Sequence, residues 1–484
     1  MFKEYNQDQE FLFPLSLHDF LEKEHICHII DDVVNELDIK ELCDKYSNLG
    51  CCAYHPKMML KILFYAYAMG ERSSRLIAYR LTSDVAYMYL SAFNKPDFRT
   101  INRFRKDNID IVKKLFVQIV RMCMNFGMVS IGTIAIDGTK LKANASYRKT
   151  KKLEKMDKEI ALIDEQIEKI FKECQERDED EDKSMGEDKS IYEVKEEILN
   201  KKQEYLKCLK ETKKKLLKEG LKEINLTDEE SATMLHKGYR PEPSYNGQIA
   251  VEESNGVIVA AVLTTNASDY DGLEKLVEET ILNTGEKPSE LLADAGYSSF
   301  DNLDYLNKMG ITGYIPDQKS ISIKKGTSSD VTFSKFNFIY NKENDCYICP
   351  AGNLLPYKGR TKIRGKEVAK VYKCLECPMC PSKDKCTKCN NRIITRHPRE
   401  YLMEEMKLFL KTKEGKKTYS KRKYLVEPVF GDIKHNRKIR DILLRGKLKA
   451  FGEFMLICIS KNLRKIAKFV NSKSLQLSLQ LKGV

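Results

Sequence analysis

The chain has 484 residues, 42% of them hydrophobic and 32% charged, and its 84 Lys and Arg against 71 Asp and Glu leave a formal net charge of +13. This composition excludes a disordered or fibrous chain and is ample for more than one core. The excess of positive charge, heaviest after about Lys319, fits a polyanionic partner as readily as a lysine-rich surface with no partner. The opening MFKEYNQDQE lacks the basic-then-apolar pattern of a secretory signal. The longest apolar run, MMLKILFYAYAMG from Met58, is interrupted by Lys61 and falls short of the roughly 20 residues of a membrane span. A core helix in a cytoplasmic protein with no membrane association is expected.

Up to about Asn125 the apolar positions recur at helical spacing through HIIDDVVNELDIKEL, MMLKILFYAYAMG and NIDIVKKLFVQIVRMCMNF, which predicts an all-helical N-terminal domain. Within it, Asp97 or Thr100 can cap a helix carrying Arg103 and Arg105. That helix fits a DNA groove and the solvated face of a bundle equally well. From Ile131 the pattern changes to IGTIAID, a short buried strand ending on Asp137. Next, Leu153, Met156, Ile160, Ile163, Ile167, Ile170 and Cys174 alternate three- and four-residue steps, a heptad seam broken by the acidic RDEDEDKSMGEDK. A second arm carries Val194, Ile198, Tyr205, Leu209 and Leu216. An antiparallel helical hairpin inserted into a sheet is predicted, a protein-contact or purely intramolecular element rather than a phosphate-tracking one given its many acids.

The sheet resumes at YNGQIAVEE and GVIVAAVLTTN with a hairpin turn at Asn255-Gly256. There follow a helix from about Tyr270, a strand LLADAGY ending on Asp294, a helix over FDNLDYLNKM and a strand ITGYIP, together a mixed α/β sheet. A cysteine-rich segment interrupts the core, and helix returns from about Arg399, with Glu427 inside it. Two aspartates at the ends of apolar strands, each with a glycine close behind (IAIDG, LADAG), stand where an open α/β sheet presents its ligands. Taken singly, each is more often a turn former. Glu427 changes the balance: it lies in RKYLVEPVFGDIKHNRK, dense in Lys and Arg, and shares a helix face with Lys434 two turns on. Three carboxylates from two strands and a helix can supply the hard oxygens that two Mg²⁺ ions need in phosphodiester transfer, with cations alongside to hold phosphates.

With these motifs in this order, the chain resembles bacterial insertion-sequence transposases of the DDE class, with a ribonuclease H-like core, over nearly its whole length. FRTINRFRKDN is similar to the end of the helical domain that precedes the core. IDGTKLKANAS and LLADAGY resemble the first and second aspartate motifs, VEPVFGDIK the glutamate motif, and RGKLKAFGEFMLICISKNLRK its continuation. The resemblance implies Asp137, Asp294 and Glu427 as the Mg²⁺ (or Mn²⁺) ligands and Lys434 as a catalytic partner. It implies DNA contact by Arg103, Arg105, Arg422, Lys423 and Arg437, the basic role before the glutamate falling to Arg422 or Lys423. Tyr419 stands one position from the commonest spacing. The activity implied is binding of terminal inverted repeats, nicking to free 3′-OH ends and attack of those ends on target DNA. A homodimer assembled on DNA and a nucleoid-associated bacterial location go with it.

Fifteen cysteines would suggest disulfides, yet seven fall between Cys346 and Cys389 in CxxC spacing, which suits tetrahedral zinc better. Seven exceed one site; the resemblance favours Cys349, Cys377, Cys380 and Cys386, a closed structural Zn²⁺ site. The seven histidines show no metal or catalytic pairing. The expected fold is α/β: a ribonuclease H-like mixed sheet (127–317 and 396–470) with a helical N-terminal domain (1–126), a hairpin insertion (147–225), a small zinc-ribbon-like insertion (318–395) and a tail (471–484). Two other functions fit the same chain, a DNA-binding regulator without chemistry and a ribonuclease H-like nuclease without strand transfer. Three acids kept within their motifs favour the transposase over the first; assays on DNA ends separate the second.

Overall fold

In the computed structural model, residues 16–46, 53–181, 189–236, 240–317, 331–363 and 367–481 are described. The chain begins with helices α1 (Ile26–Glu36), α2 (Lys40–Cys43), α3 (Pro56–Met69), α4 (Ser74–Ser83), α5 (Val85–Ser91), α6 (Phe98–Asp107) and α7 (Ile109–Asn125). The apolar run from Met58 forms α3, buried along most of its length, with Pro56 in its first turn and Gly70 closing it in the left-handed conformation. Asp97 caps α6, its Oδ1 accepting the Thr100 backbone N–H at 2.6 Å. Among the described residues no helix is long and apolar enough to cross a membrane.

The strands that follow are β1 (Thr133–Lys142), β2 (Thr150–Lys152), β3 (Glu223–Asn225), β4 (Ala232–Leu235), β5 (Pro241–Glu252), β6 (Ile258–Thr264), β7 (Glu290–Leu292) and β8 (Thr312–Tyr314). The main sheet runs β4-β5-β1-β7-β8, with β6 on the same edge of β5 as β4. β5 is antiparallel to β1 and β6, whereas β1, β7 and β8 are parallel, so the sheet is mixed. Asn255 and Gly256 lie in the β5–β6 turn as expected, where the Glu252 carboxylate accepts the N–H groups of Ser254, Asn255 and Val257.

One expectation changes here. β1 does not end at Asp137 but continues to Lys142, because β5 pairs with it residue by residue from Glu252 to Ser244. The alternation of TKLK is a strand pattern in its own right, with Thr139 and Leu141 buried.

Between β2 and β3 the predicted hairpin stands as α8 (Leu153–Glu181) and α9 (Lys189–Glu219). Met156, Ile163, Ile167, Leu209 and Leu216 form its seam, and Ile160 and Tyr205 pack against it. Ile198, expected in the seam, is exposed; Leu199 packs there instead. The side chains of Cys174 and Val194 lie outside those described. α10 (Leu273–Thr284) and α11 (Phe300–Met309) flank the sheet.

The cysteine-rich segment forms a separate antiparallel sheet of β9 (Ile339–Asn341), β10 (Cys346–Ile348), β11 (Leu354–Ile363), β12 (Glu367–Lys373) and β13 (Ile393–Arg396) around its own core of Phe338, Tyr347, Leu355, Tyr372 and Ile394. After a short α12 (Lys383–Cys386), the chain returns through α13 (Glu400–Phe409), α14 (Lys413–Leu425) and α15 (Glu427–Gly431). A π-helical stretch, Asp432–Asn436, precedes α16 (Lys447–Leu481). α16 continues as helix through the stretch read as a tail, and it packs against α3, α7 and β6, so the two ends of the chain share one core.

Candidate active site

The last parallel pair between β1 and β7 is Ala135 with Leu292, and each strand carries its aspartate two residues further on. Equal offsets from one register point bring Asp137 and Asp294 side by side at the edge of the parallel pairing. Each carboxylate is oriented by a glycine N–H: Gly138 donates to Asp137 Oδ1 at 2.9 Å and Gly296 to Asp294 Oδ1 at 2.8 Å. Arg422, from the last turn of α14, reaches between them, with Nη2 3.0 Å from Asp137 Oδ1 and 4.0 Å from Asp294 Oδ2. Burial pushes the Asp137 carboxyl up to about 6; Arg422 opposes the shift and Asp294 adds to it.

A third carboxylate, Asp269, stands beside this pair and was not anticipated. Burial raises its pKa, against a 2.6 Å hydrogen bond from Asn246, and the Asp294 charge raises it further. An aspartate in NASDYDG before a helix carries the ordinary signature of a turn or cap, so only the register of distant strands reveals it.

Glu427 opens α15, exposed, in a first helical turn where Pro428 has no N–H to continue the ladder from α14. A carboxylate at that end is favoured by the helix dipole. Its charge acts on the Tyr419 phenol together with those of Arg422, Asp294 and Asp137, which places these groups in one electrostatic neighbourhood. Lys434 comes from the π-helical stretch and donates to the Lys140 carbonyl at 3.2 Å. Burial lowers its pKa while the nearby Asp137 holds it up. Among the described residues no three His, Cys, Asp or Glu side chains are grouped as a metal ion would need them. At the sheet the arginine takes the place between the two carboxylates.

The five basic residues divide by burial. Arg103 is exposed on α6, beside an open cleft lined also by Arg75, Arg99 and Lys106, and Lys423 is exposed on α14. Arg105, 5% exposed, instead points inward and donates to the Tyr67 hydroxyl at 3.2 Å, the Arg72 carbonyl at 2.9 Å and Asn102 at 2.9 Å. Arg437, also 5% exposed, pairs with Asp432 at 3.2 Å and donates to Ser460 at 2.6 Å. Both tie helices together and are out of reach of a phosphate, which corrects their expected role. At Asp432 burial raises the pKa, but Lys461 and Arg437 outweigh it and hold the carboxylate charged.

In the inserted sheet, Cys349, Cys377, Cys380 and Cys386 line one small cleft together with Cys374, Phe338 and Arg392. The Asn353 N–H donates to Cys349 Sγ and the Arg392 N–H to Cys377 Sγ, each at 3.3 Å. Burial and the adjacent Cys377 push the Cys374 thiol up to about 11. Cys346 is buried on β10, and Cys389 is exposed.

Comparison with known families matches residues 15–107 to a transposase domain and residues 348–467 to a transposase DDE domain. The second stretch contains Glu427, Lys434 and the thiol cleft; Asp137 and Asp294 lie outside both. No curated protein matches the chain.

Proposed function

We propose, from the matches to a transposase domain and a transposase DDE domain, that this chain is an insertion-sequence DDE transposase that cuts DNA at the ends of a mobile element and joins the freed 3′ ends to a target. The observation that carries this reading is the pairing of Asp137 and Asp294 two residues beyond the β1–β7 register. The strand order supports a ribonuclease H-like core: two antiparallel strands, β6 and β5, lead to β1, and two parallel ones, β7 and β8, continue from it.

Asp137, Asp294 and Glu427 would hold Mg²⁺ or Mn²⁺, whose chemistry here is to activate the attacking oxygen and stabilise the leaving one. Hard carboxylate oxygens at the sheet edge suit such ions, and a site already occupied by a guanidinium is one built for positive charge. Arg422 then passes from the carboxylates to the scissile phosphate, where a planar fork binds two oxygens at once. Lys434, fixed by the Lys140 carbonyl, keeps a cation beside Asp137 and positions the strand. Arg103 with Arg75, Arg99 and Lys106, and Lys423 on its own helix, bind backbone phosphates away from the reacting centre. Cys349, Cys377, Cys380 and Cys386 would hold a structural Zn²⁺: they face one cleft, and two of the sulfurs accept backbone N–H groups, as thiolates do. Two protomers working on paired element ends complete the proposal.

Cleavage and joining of labelled DNA carrying the element ends, in Mg²⁺ or Mn²⁺, tests it. Wild type should be active and Asp294→Ala inactive with end binding retained. Binding without cleavage by wild type, or equal activity in both proteins, would overturn it in favour of a DNA-binding regulator.

A further inference from the structure

Asp269 follows β6 in a loop of its own, 132 residues after Asp137 and 25 before Asp294. Its carboxylate nevertheless lies against the backbone that follows each of them. A Cβ built on Gly138 would stand 2.5 Å from Asp269 Oδ1, and one built on Gly296 would stand 3.1 Å from Asp269 Oδ2. One oxygen thus faces β1 at Gly138 and the other the turn after Asp294. These glycines are the same residues whose N–H groups orient the Asp137 and Asp294 carboxylates. Asp269 is itself held, because Asn246, almost fully buried on β5, donates its side-chain N–H to Oδ1 at 2.6 Å. A side chain at 138 would therefore displace this carboxylate, and one at 296 would meet the Asp294 Oδ1 at 2.9 Å as well as Asp269.

We infer that Asp269 is a positioning residue of the carboxylate pair, bracing Gly138 on β1 and the short helical turn at Gly296, whose N–H groups aim Asp137 and Asp294, and adding a third carboxylate beside them. The inference rests on the metal-dependent reading proposed above. Arg422 already spans Asp137 and Asp294, and a further carboxylate beside them strengthens the attraction of the pair for a divalent cation. With its Oδ1 engaged by Asn246, Asp269 acts on a bound ion through the backbone at Gly138 and Gly296 and through its field, as outer-shell carboxylates of metal sites do.

Mn²⁺ titration of the full-length protein, followed by the electron paramagnetic resonance signal of the free ion, tests this without any DNA. Asp137→Asn is the control that removes a proposed ligand. Asp269→Asn keeps the size of the side chain and an oxygen for Asn246 but removes the charge; Asp269→Ala removes both without a steric clash, which guards against a folding defect in either one. We expect Asp137→Asn to abolish tight Mn²⁺ binding. The Asp269 variants should weaken it roughly 10- to 100-fold, in line with outer-shell losses elsewhere, with the metal-free melting temperature kept. Loss in Asp137→Asn alongside wild-type affinity in both Asp269 variants would overturn the role of Asp269 and leave the metal site standing. Equal, weak binding by wild type and Asp137→Asn would overturn the metal site and this inference with it.

Discussion

Two regions of the chain gather side chains of the kind that hold metal ions, and they do so by opposite constructions. In the inserted sheet the thiols line a small cleft in a core of their own, and backbone N–H groups already point at two sulfurs. At the main sheet the acids come from β1, a loop beyond β7 and a helix start, and a guanidinium sits between two of them. The difference is one of construction: in the first, backbone N–H groups meet the sulfurs, and in the second a cation from α14 lies between acids that separate elements bring together.

Three measurements press on that contrast. The largest effect is expected on zinc removal. If the thiol cleft holds the proposed zinc, a strong chelator, or Cys377→Ser, should release it and open the segment 338–396 to amide exchange, because structural zinc contributes on the order of 10 kcal/mol to small domains. The strands of the main sheet should stay protected; exchange spreading through them would mean that the two regions fold as one.

The next effect concerns pH. Asp137 has a folded pKa of about 6, above its ordinary 3.8, so the folded state holds this proton more tightly than the unfolded one. Its contribution is therefore most favourable below the unfolded value, declines as pH rises from about 4 to about 6, and is fully unfavourable above. The shift of about two units corresponds to about 3 kcal/mol. Asp137→Asn should stabilise the metal-free protein by up to that amount at pH 7 in denaturant melts, with the gain gone below about pH 4. An unchanged midpoint at pH 7 would show that burying the charged Asp137 carboxylate beside Asp294 costs the fold nothing.

The smallest concerns Arg422. Replacing it by Gln removes the cation that a metal must displace, so Mn²⁺ should bind a few-fold more tightly, the scale of a partly exposed ion pair, while affinity for DNA ends falls. Weaker Mn²⁺ binding in Arg422→Gln would make the arginine a support of the metal site rather than its occupant.

Much of this architecture can be read from residue order. The α8–α9 seam, the β5–β6 turn and the strands at LLADAGY and ITGYIP follow from local periodicity, which depends on near neighbours. Features decided by distant partners do not. β1 extends past Asp137 because β5 lies alongside it for nine residue pairs. Arg105 and Arg437 read as surface charges, since their partners Tyr67 and Ser460 are far off in sequence. Asp269 reads as a helix cap because its neighbours are a glycine of β1 and one of the turn beyond β7, both far off in sequence. At Glu427 the motif and its Pro428 are legible, but the π-helical stretch that follows them is not.

The two-stranded ribbon beneath the helical hairpin has a consequence for protein engineering. Lys152 pairs with Glu223, so the arm leaves and re-enters the sheet at adjacent points, stapled there by β2 and β3. Closing a loop at such a junction depends only weakly on what the loop contains. The ribbon is therefore a socket: an arm of another length, or a foreign domain, can be grafted above it while the register that aligns Asp137 with Asp294 is left alone.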